Sequence, residues 1–220
     1  MDANFREEPD LHKPFEMPRD TYFPEDDEEL NIKATEVTRD QKAEIYGRYL
    51  TAISLLENVT RPSDVVGDVY CGSGFGIPLL AARFRYAFGI EPNDFSRRYA
   101  TKHFKKVKFT DSVEGLDVAL FMDTVHKLTA TELRMVAEDA RAVLLVVPIL
   151  PGPTEYHRTP FASEGDVISY ARKAGLKPRI SLVEHDTDLY TGEHGNLYYG
   201  LFVKPDFKPD HLEEKEEELE

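Results

Sequence analysis

The chain has 220 residues and carries 41 acidic side chains against 27 lysines and arginines, a formal charge of −14 at pH 7. That length suits one α/β domain with short additions, and no apolar run reaches the roughly 18 residues that would span a membrane. A single cysteine, Cys71, excludes an intramolecular disulfide and a cysteine-based zinc site.

The acidity belongs to the ends. Residues 1–30 hold eleven acids and three bases, and residues 211–220 hold six acids and one lysine. The remainder is close to neutral, so the overall charge does not exclude a local phosphate-binding surface. The opening residues lack the basic and then apolar regions of a signal peptide, and the expected location is cytoplasmic.

Residues 1–36 are rich in proline and acid without sustained periodicity, as in a disordered acidic arm. Phe5, Phe15, Tyr22 and Phe23 support an alternative, an arm that folds over the site as a lid and brings Tyr22 and Phe23 against a substrate. The domain proper is expected over 37–207. Ile45, Tyr49, Ala52, Ile53 and Leu56 recur at spacings of three and four, predicting a helix over Thr38 to Val59 that ends at Arg61-Pro62-Ser63.

An apolar strand from Val65 then runs into Asp68-Val69-Tyr70-Cys71-Gly72-Ser73-Gly74-Phe75-Gly76. Glycines at alternate positions let a strand turn sharply into a helix, with no β-carbon where a ligand must lie against backbone. The helix, Ile77 to Phe84, has Pro78 near its start, where a missing N–H does least harm. Tyr86 to Glu91 reads as a second strand ending in a carboxylate able to accept hydrogen bonds from both hydroxyls of a ribose. A nucleoside-bearing cofactor is the joint implication.

Asn93 or Asp94 caps a helix to about Phe104. Arg97, Arg98, Lys102, Lys105, Lys106 and Lys108 cluster there, as a solvated face or as a track for phosphates. Val107 to Thr110 leads to Asp111 and Ser112. Leu116 to Asp123 reads as a fourth strand, followed by Thr124-Val125-His126. Thr129 with Glu132 forms a capping-box pattern ahead of a helix to Arg141, and Ala142 to Ile149 is a continuous apolar strand.

A proline-rich turn then leads to Tyr156, His157 and Arg158. Ser163 to Ala174 is a further helix, stopped by Gly175 and Pro178. Two strands, Arg179 to Glu184 and Leu197 to Lys204, follow without an intervening helix and should pair antiparallel. Glu184, His185, Asp186, Thr187, Asp188 and His194 offer oxygen and nitrogen ligands at no recognised metal spacing, so no metal is expected. From residue 208 the charge run is expected to be an acidic tail, solvated or a frayed helix.

The spacing of the glycine turn narrows the cofactor. A dinucleotide fingerprint needs a third glycine where this chain has Ile77 or Leu79. The run GxGxG behind Asp68 instead resembles motif I of the class I S-adenosylmethionine-dependent methyltransferases, over roughly residues 60 to 204. That resemblance implies an α/β fold: a seven-stranded, mostly parallel sheet with helices on both faces and an antiparallel last strand. It also implies a cofactor site built from Asp68, Tyr70, Gly72, Ser73, Gly74 and Gly76, with Glu91 and Pro92 at the ribose. Asp111 and Ser112 would lie near the adenine, and Asp123 would face the transferable methyl. Tyr156, His157 and Arg158 fall in a loop that in this family often lines the acceptor pocket.

Methyl transfer from a sulfonium needs alignment and, for some acceptors, removal of a proton. His126 has the titration range of a general base; the plainer reading is that it packs at a loop start and orients its neighbours. Asp123 is expected to line the pocket. Met122-Asp123-Thr124-Val125 lacks the (N/D)PP(Y/F) signature of enzymes that methylate exocyclic amines of DNA bases. C5 methylation of pyrimidines needs a catalytic cysteine, and Cys71 lies inside the cofactor turn.

The expected acceptor is therefore a small molecule or a protein. The stretch Asp68 to Ala82 also resembles the glycine turn of certain tRNA methyltransferases, which keeps an RNA acceptor as an alternative. A non-catalytic cofactor-binding scaffold or partner subunit is a third reading.

Overall fold

The computed structural model describes residues 36–149, 161–187 and 194–208. Helix α1, Arg39–Leu56, opens at a capping box in which Thr38 and Gln41 exchange side-chain-to-backbone hydrogen bonds of 2.9 and 3.2 Å. Strand β1 (Val65–Val69), helix α2 (Ile77–Arg83), strand β2 (Tyr86–Ile90) and helix α3 (Asp94–His103) follow. Of the two candidate caps for α3, Asn93 is the one used: its side chain accepts from the Ser96 N–H at 2.9 Å.

Beyond α3 come β3 (Lys108–Thr110), β4 (Val118–Met122), a 3-10 turn (Val125–Lys127), α4 (Ala130–Val136) and β5 (Ala142–Ile149). Helix α5 (Glu164–Lys173) and the hairpin of β6 (Lys177–Thr187) with β7 (His194–Val203) complete the described chain. No helix among the described residues is long and apolar enough to cross a membrane.

Two elements differ from the sequence-based expectation. The capping box of Thr129 and Glu132 is present, but α4 ends at Val136 and does not reach Arg141. Arg141 is held elsewhere: its N–H donates to Asp117 O at 2.9 Å and its guanidinium pairs with buried Asp64, so the chain must leave the helix early to enter β5. Pro178 does not act as a helix stop. Gly175, at φ +84, turns the chain, and Pro178 lies within β6 beside a bulge between Pro178 and Ile180. An edge strand tolerates proline because one side of its ladder is unused.

The seven strands are ordered β3-β2-β1-β4-β5-β7-β6. Neighbours from β3 to β5 pair parallel, while β7 runs antiparallel to both β5 and β6. Along β5, Ala142, Leu144 and Val146 enter one core while Val143, Leu145 and Val147 enter the other, as required of a strand covered on both faces. Helices α1 and α2 pack on the first face through Tyr49, Ile53, Leu56, Ile77 and Leu80. Helices α4 and α5 pack on the second through Leu133, Val136, Val167 and Tyr170.

Chain progression runs outward from β1 to β2 and β3 on one side, and resumes on the other side with β4 and β5. The two central strands therefore flank a topological switch point, where an open α/β sheet leaves a crevice beyond its carboxyl ends.

Candidate functional site

Tyr70, directly after β1, lies in the left-handed region at φ 60, and Gly72 and Gly74 follow at φ +56 and +75. For a tyrosine that conformation costs about 1–2 kcal/mol, which the packed surroundings must offset. The three glycines of the turn have different reasons to be glycine. A β-carbon on Gly72 would meet nothing within 4 Å, so this position faces open space at the switch point.

A β-carbon on Gly74 would lie 2.6 Å from the Phe109 ring and 3.0 Å from Ala100 Cβ, and one on Gly76 would run into the Tyr49 ring. Gly72 thus borders the open space, while Gly74 and Gly76 admit aromatic rings of the protein. Ser73, between Gly72 and Gly74, is buried.

Glu91 follows β2 and is buried, with both carboxylate oxygens engaged. Oε2 accepts from the Gly72 N–H at 2.8 Å and Oε1 from the Asn93 N–H at 2.8 Å. The carboxylate is thus oriented beside the one glycine of the turn that borders open space. Arg97 braces the same corner: its Nη1 donates to Glu91 O at 2.7 Å and Pro92 O at 3.1 Å, and its Nη2 to Asp94 Oδ1 at 2.9 Å.

The same guanidinium lies 3.6 Å from Asp111, whose side chain is largely exposed just past β3. Ser112 donates its N–H to Thr110 Oγ1 at 3.4 Å in that bend. Arg97 is therefore taken out of the basic run considered as a phosphate track. Arg98 pairs with Asp94 at 2.7 Å and is otherwise solvated.

Asp68 is fully buried in β1 and accepts a hydrogen bond from the Tyr49 hydroxyl of α1. Burial pushes its carboxyl up from the ordinary 3.8 to about 7; the Tyr49 hydrogen bond opposes that rise and the Glu91 charge adds to it.

Asp123 stands at the carboxyl end of β4, at φ 55, with its N–H on Val146 O at 2.8 Å. The next residue, Thr124, donates its hydroxyl to Val69 O at 3.0 Å and ties the end of β4 to β1. Asp123 Oδ2 lies 3.9 Å from Arg48 Nη1, and its Oδ1 lies 3.9 Å from His126 Nδ1 in the 3-10 turn. Arg48 also meets Glu44 at 3.4 Å, one turn earlier on α1. Arg48, Asp123 and His126 are all buried.

Adjacent residues of one helix thus reach the two central strands, Tyr49 to the acid of β1 and Arg48 to the acid of β4. Sequence reasoning placed Tyr49 in the core and passed over Arg48. The signal for Arg48 was its position, three residues after Ile45 and four before Ala52, which sets a cation on the apolar face.

The structure therefore brings together Asp68, Tyr70, Gly72, Ser73, Gly74, Gly76, Glu91 and Pro92 around the turn, with Asp123 and His126 across the switch point. Asp111 and Ser112 sit at the rim. Tyr22, Phe23, Tyr156, His157 and Arg158 lie outside the described residues, as do Asp188 and the side chains of Asp186, Thr187 and His194. Among the described residues, no three histidine, cysteine or acidic side chains group as metal ligands.

No protein-family model matches this chain, and no curated protein matches it in sequence. Its fold is similar to that of magnesium protoporphyrin IX methyltransferase from Synechocystis PCC 6803 with bound SAH. Identity is 15% and the TM-score 0.59, over 80% of this chain and 95% of that one. A SAM-dependent methyltransferase from Methanosarcina mazei is similar at 16% identity and TM-score 0.57, over 68% and 96% of the two chains. Phosphoethanolamine N-methyltransferase 2 of Haemonchus contortus, in complex with S-adenosyl-L-methionine, is similar at 13% identity and TM-score 0.55, over 73% and 53%. The seven-stranded sheet is that of the class I methyltransferases.

Proposed function

We propose that this chain, which has the class I methyltransferase fold, transfers a methyl group from S-adenosylmethionine to a small-molecule or protein acceptor. The observation that carries the reading is the pairing of Glu91 with Gly72. A buried carboxylate is locked onto the N–H of the one turn glycine that borders open space, at the switch point of the sheet. That arrangement suits a ribose laid against bare backbone beside the Glu91 carboxylate, a hydrogen-bond acceptor for its hydroxyls.

Asp123 and His126 lie across the switch point, where an acceptor would approach. When bound, the cofactor supplies an activated methyl group on a sulfonium. The residues of the chain then hold the acceptor in line with it and exclude water. An RNA acceptor has less support, because Arg97 is spent inside the fold on Glu91, Pro92 and Asp94.

Calorimetry with S-adenosylmethionine and S-adenosylhomocysteine tests the reading. Saturable binding of both by the intact chain is the expected result. A folded chain that binds neither, or that binds NAD more tightly, would overturn it.

A further inference from the structure

Of the four connections between successive parallel strands, three carry a helix and the β3-to-β4 crossover carries none. Residues 111–117 return across the second face as bare chain. Leu116 of that span sits on Gly67, where a β-carbon would lie 2.5 Å from its Cδ2, and Val113 packs against the same core. Among the described residues, the start of β2 beside it stays open: Tyr86 is 45% exposed and Phe88 is half-buried.

Both rings stand on the second face. Phe88 and Ile90 join that core, whereas Ala87 between Tyr86 and Phe88 joins the other, as the alternation of a strand requires. Each ring carries a cation. The Arg85 guanidinium lies 5.1 Å from the Tyr86 centroid. Lys108, which faces Phe88 in the β2–β3 ladder, holds its Nζ 5.5 Å from the Phe88 centroid.

Lys105 and Lys106, both exposed, immediately precede β3. Among the described residues, Arg85, Lys105, Lys106 and Lys108 make no ion pair, unlike Arg97 and Arg98. Of the crossover acids, Asp117 accepts from the Val65 N–H at 2.8 Å and Asp111 meets Arg97 at 3.6 Å. Glu114 is the acid left to offset four cations.

We propose that this corner is a docking face for single-stranded nucleic acid. Bases lie against Tyr86 and Phe88, and phosphates meet Arg85, Lys105, Lys106 and Lys108. Unpaired bases stack on exposed rings held by a rigid sheet, and the strand spaces these two by about 6.6 Å. Phosphates need cations that no carboxylate has already taken. An acidic peptide would be served by the cations alone and would make no use of the paired rings.

The face lies at the amino ends of β2 and β3, about 16 Å along the strand from Glu91. A nucleic acid held here is thus docked apart from the methyl-transfer crevice, and the inference does not depend on the methyl acceptor.

Fluorescence anisotropy of the full chain with a short labelled oligonucleotide of mixed sequence tests the proposal. Single-stranded RNA, single-stranded DNA and a blunt RNA duplex of equal length are compared across a salt series. Both single strands should bind more tightly than the duplex, and the tighter of the two names the natural source. Tyr86→Ala should weaken binding by about 5- to 100-fold, while Tyr86→Phe, which keeps the ring, should bind as the native chain does. Lys108→Gln should lower the slope of log affinity against log salt by about 0.7. Affinity for S-adenosylhomocysteine should not change in any of these variants.

A folded chain that binds no oligonucleotide at low salt, or binds the duplex equally well, overturns the proposal. So does a Tyr86→Ala variant with native affinity. Should that variant not fold, Lys108→Gln and the duplex comparison decide. Poly-glutamate that displaces the strand equally well at matched charge would also overturn it and assign the corner to an acidic protein.

Discussion

Tyr49 of α1 donates its phenolic hydrogen bond to Asp68 of β1 and lays its ring against Gly76, so one side chain joins the cover helix to both ends of the glycine turn. The contact closes only because Gly76 has no side chain. It also places Arg48, the preceding residue, at the end of β4.

A double-mutant cycle tests that latch. Gly76→Ala should destabilise the chain by about 1–3 kcal/mol, because the new methyl group must displace a buried ring. In a Tyr49→Ala background the same substitution should cost far less, leaving a coupling of about 1 kcal/mol or more in urea unfolding. Additive effects would show that the ring does not hold the turn.

Asp68 makes stability depend on pH in an unusual direction. Its folded-state carboxyl titrates near 7 against an ordinary 3.8, so between those values the folded chain keeps a proton that the unfolded chain has lost. The contribution of Asp68 is therefore fully present below about 3.8 and falls as pH rises toward 7, then levels off. Asp68→Asn removes this dependence. Its stability relative to the native chain should climb across that window in urea melts at pH 4.5, 6 and 7.5. A constant difference would count against a protonated Asp68.

Glu91 links the turn to the proposed cofactor. Glu91→Ala should weaken S-adenosylhomocysteine binding by about 10- to 100-fold, the loss expected for charge-assisted hydrogen bonds. Glu91→Gln keeps one acceptor oxygen and should fall between. Calorimetry decides, and unchanged affinity in the alanine variant would place the ribose elsewhere.

Arg97 uses its planar fork on four oxygens from Glu91, Pro92, Asp94 and Asp111. Lysine is a point charge that cannot reproduce that geometry. Arg97→Lys should therefore lower cofactor affinity and melting temperature nearly as much as Arg97→Ala. Full retention of both by the lysine variant would reduce Arg97 to a simple counter-charge.

What could be read from the chain alone follows from how local each feature is. The turn from Asp68 to Gly76 and the carboxylate after β2 are contiguous motifs, and the alternation along β5 marks a strand covered on both faces without reference to anything distant. Arg48 and Asp123 meet only through the packing of α1, and that depends on a ring seated on Gly76. Nothing in the local pattern around Arg48 names its partner. The early end of α4 is similar, since it is set by Arg141 reaching Asp64 across the sheet.

Gly74 shows the remaining gap: a glycine motif announces missing β-carbons, but whether a ligand or Phe109 fills the space is a tertiary matter. The basic run after Asn93 misleads for a related reason. Charge counting treats Arg97 and Arg98 alike, yet one bonds backbone carbonyls and the other faces solvent.

Among the described residues, strand β6, with eleven residues, ends the sheet, whereas the opposite edge, β3, has only three. So long a row of outward backbone groups is a template on which foreign strands can stack. Pro178 contributes no N–H to such a row, and the adjacent bulge breaks its regular repeat. Exposed Lys177 and Arg179 on the same stretch repel an identical edge. The proline that fails to stop a helix thus sits where a regular outward ladder would otherwise run, on the long margin of a broad sheet.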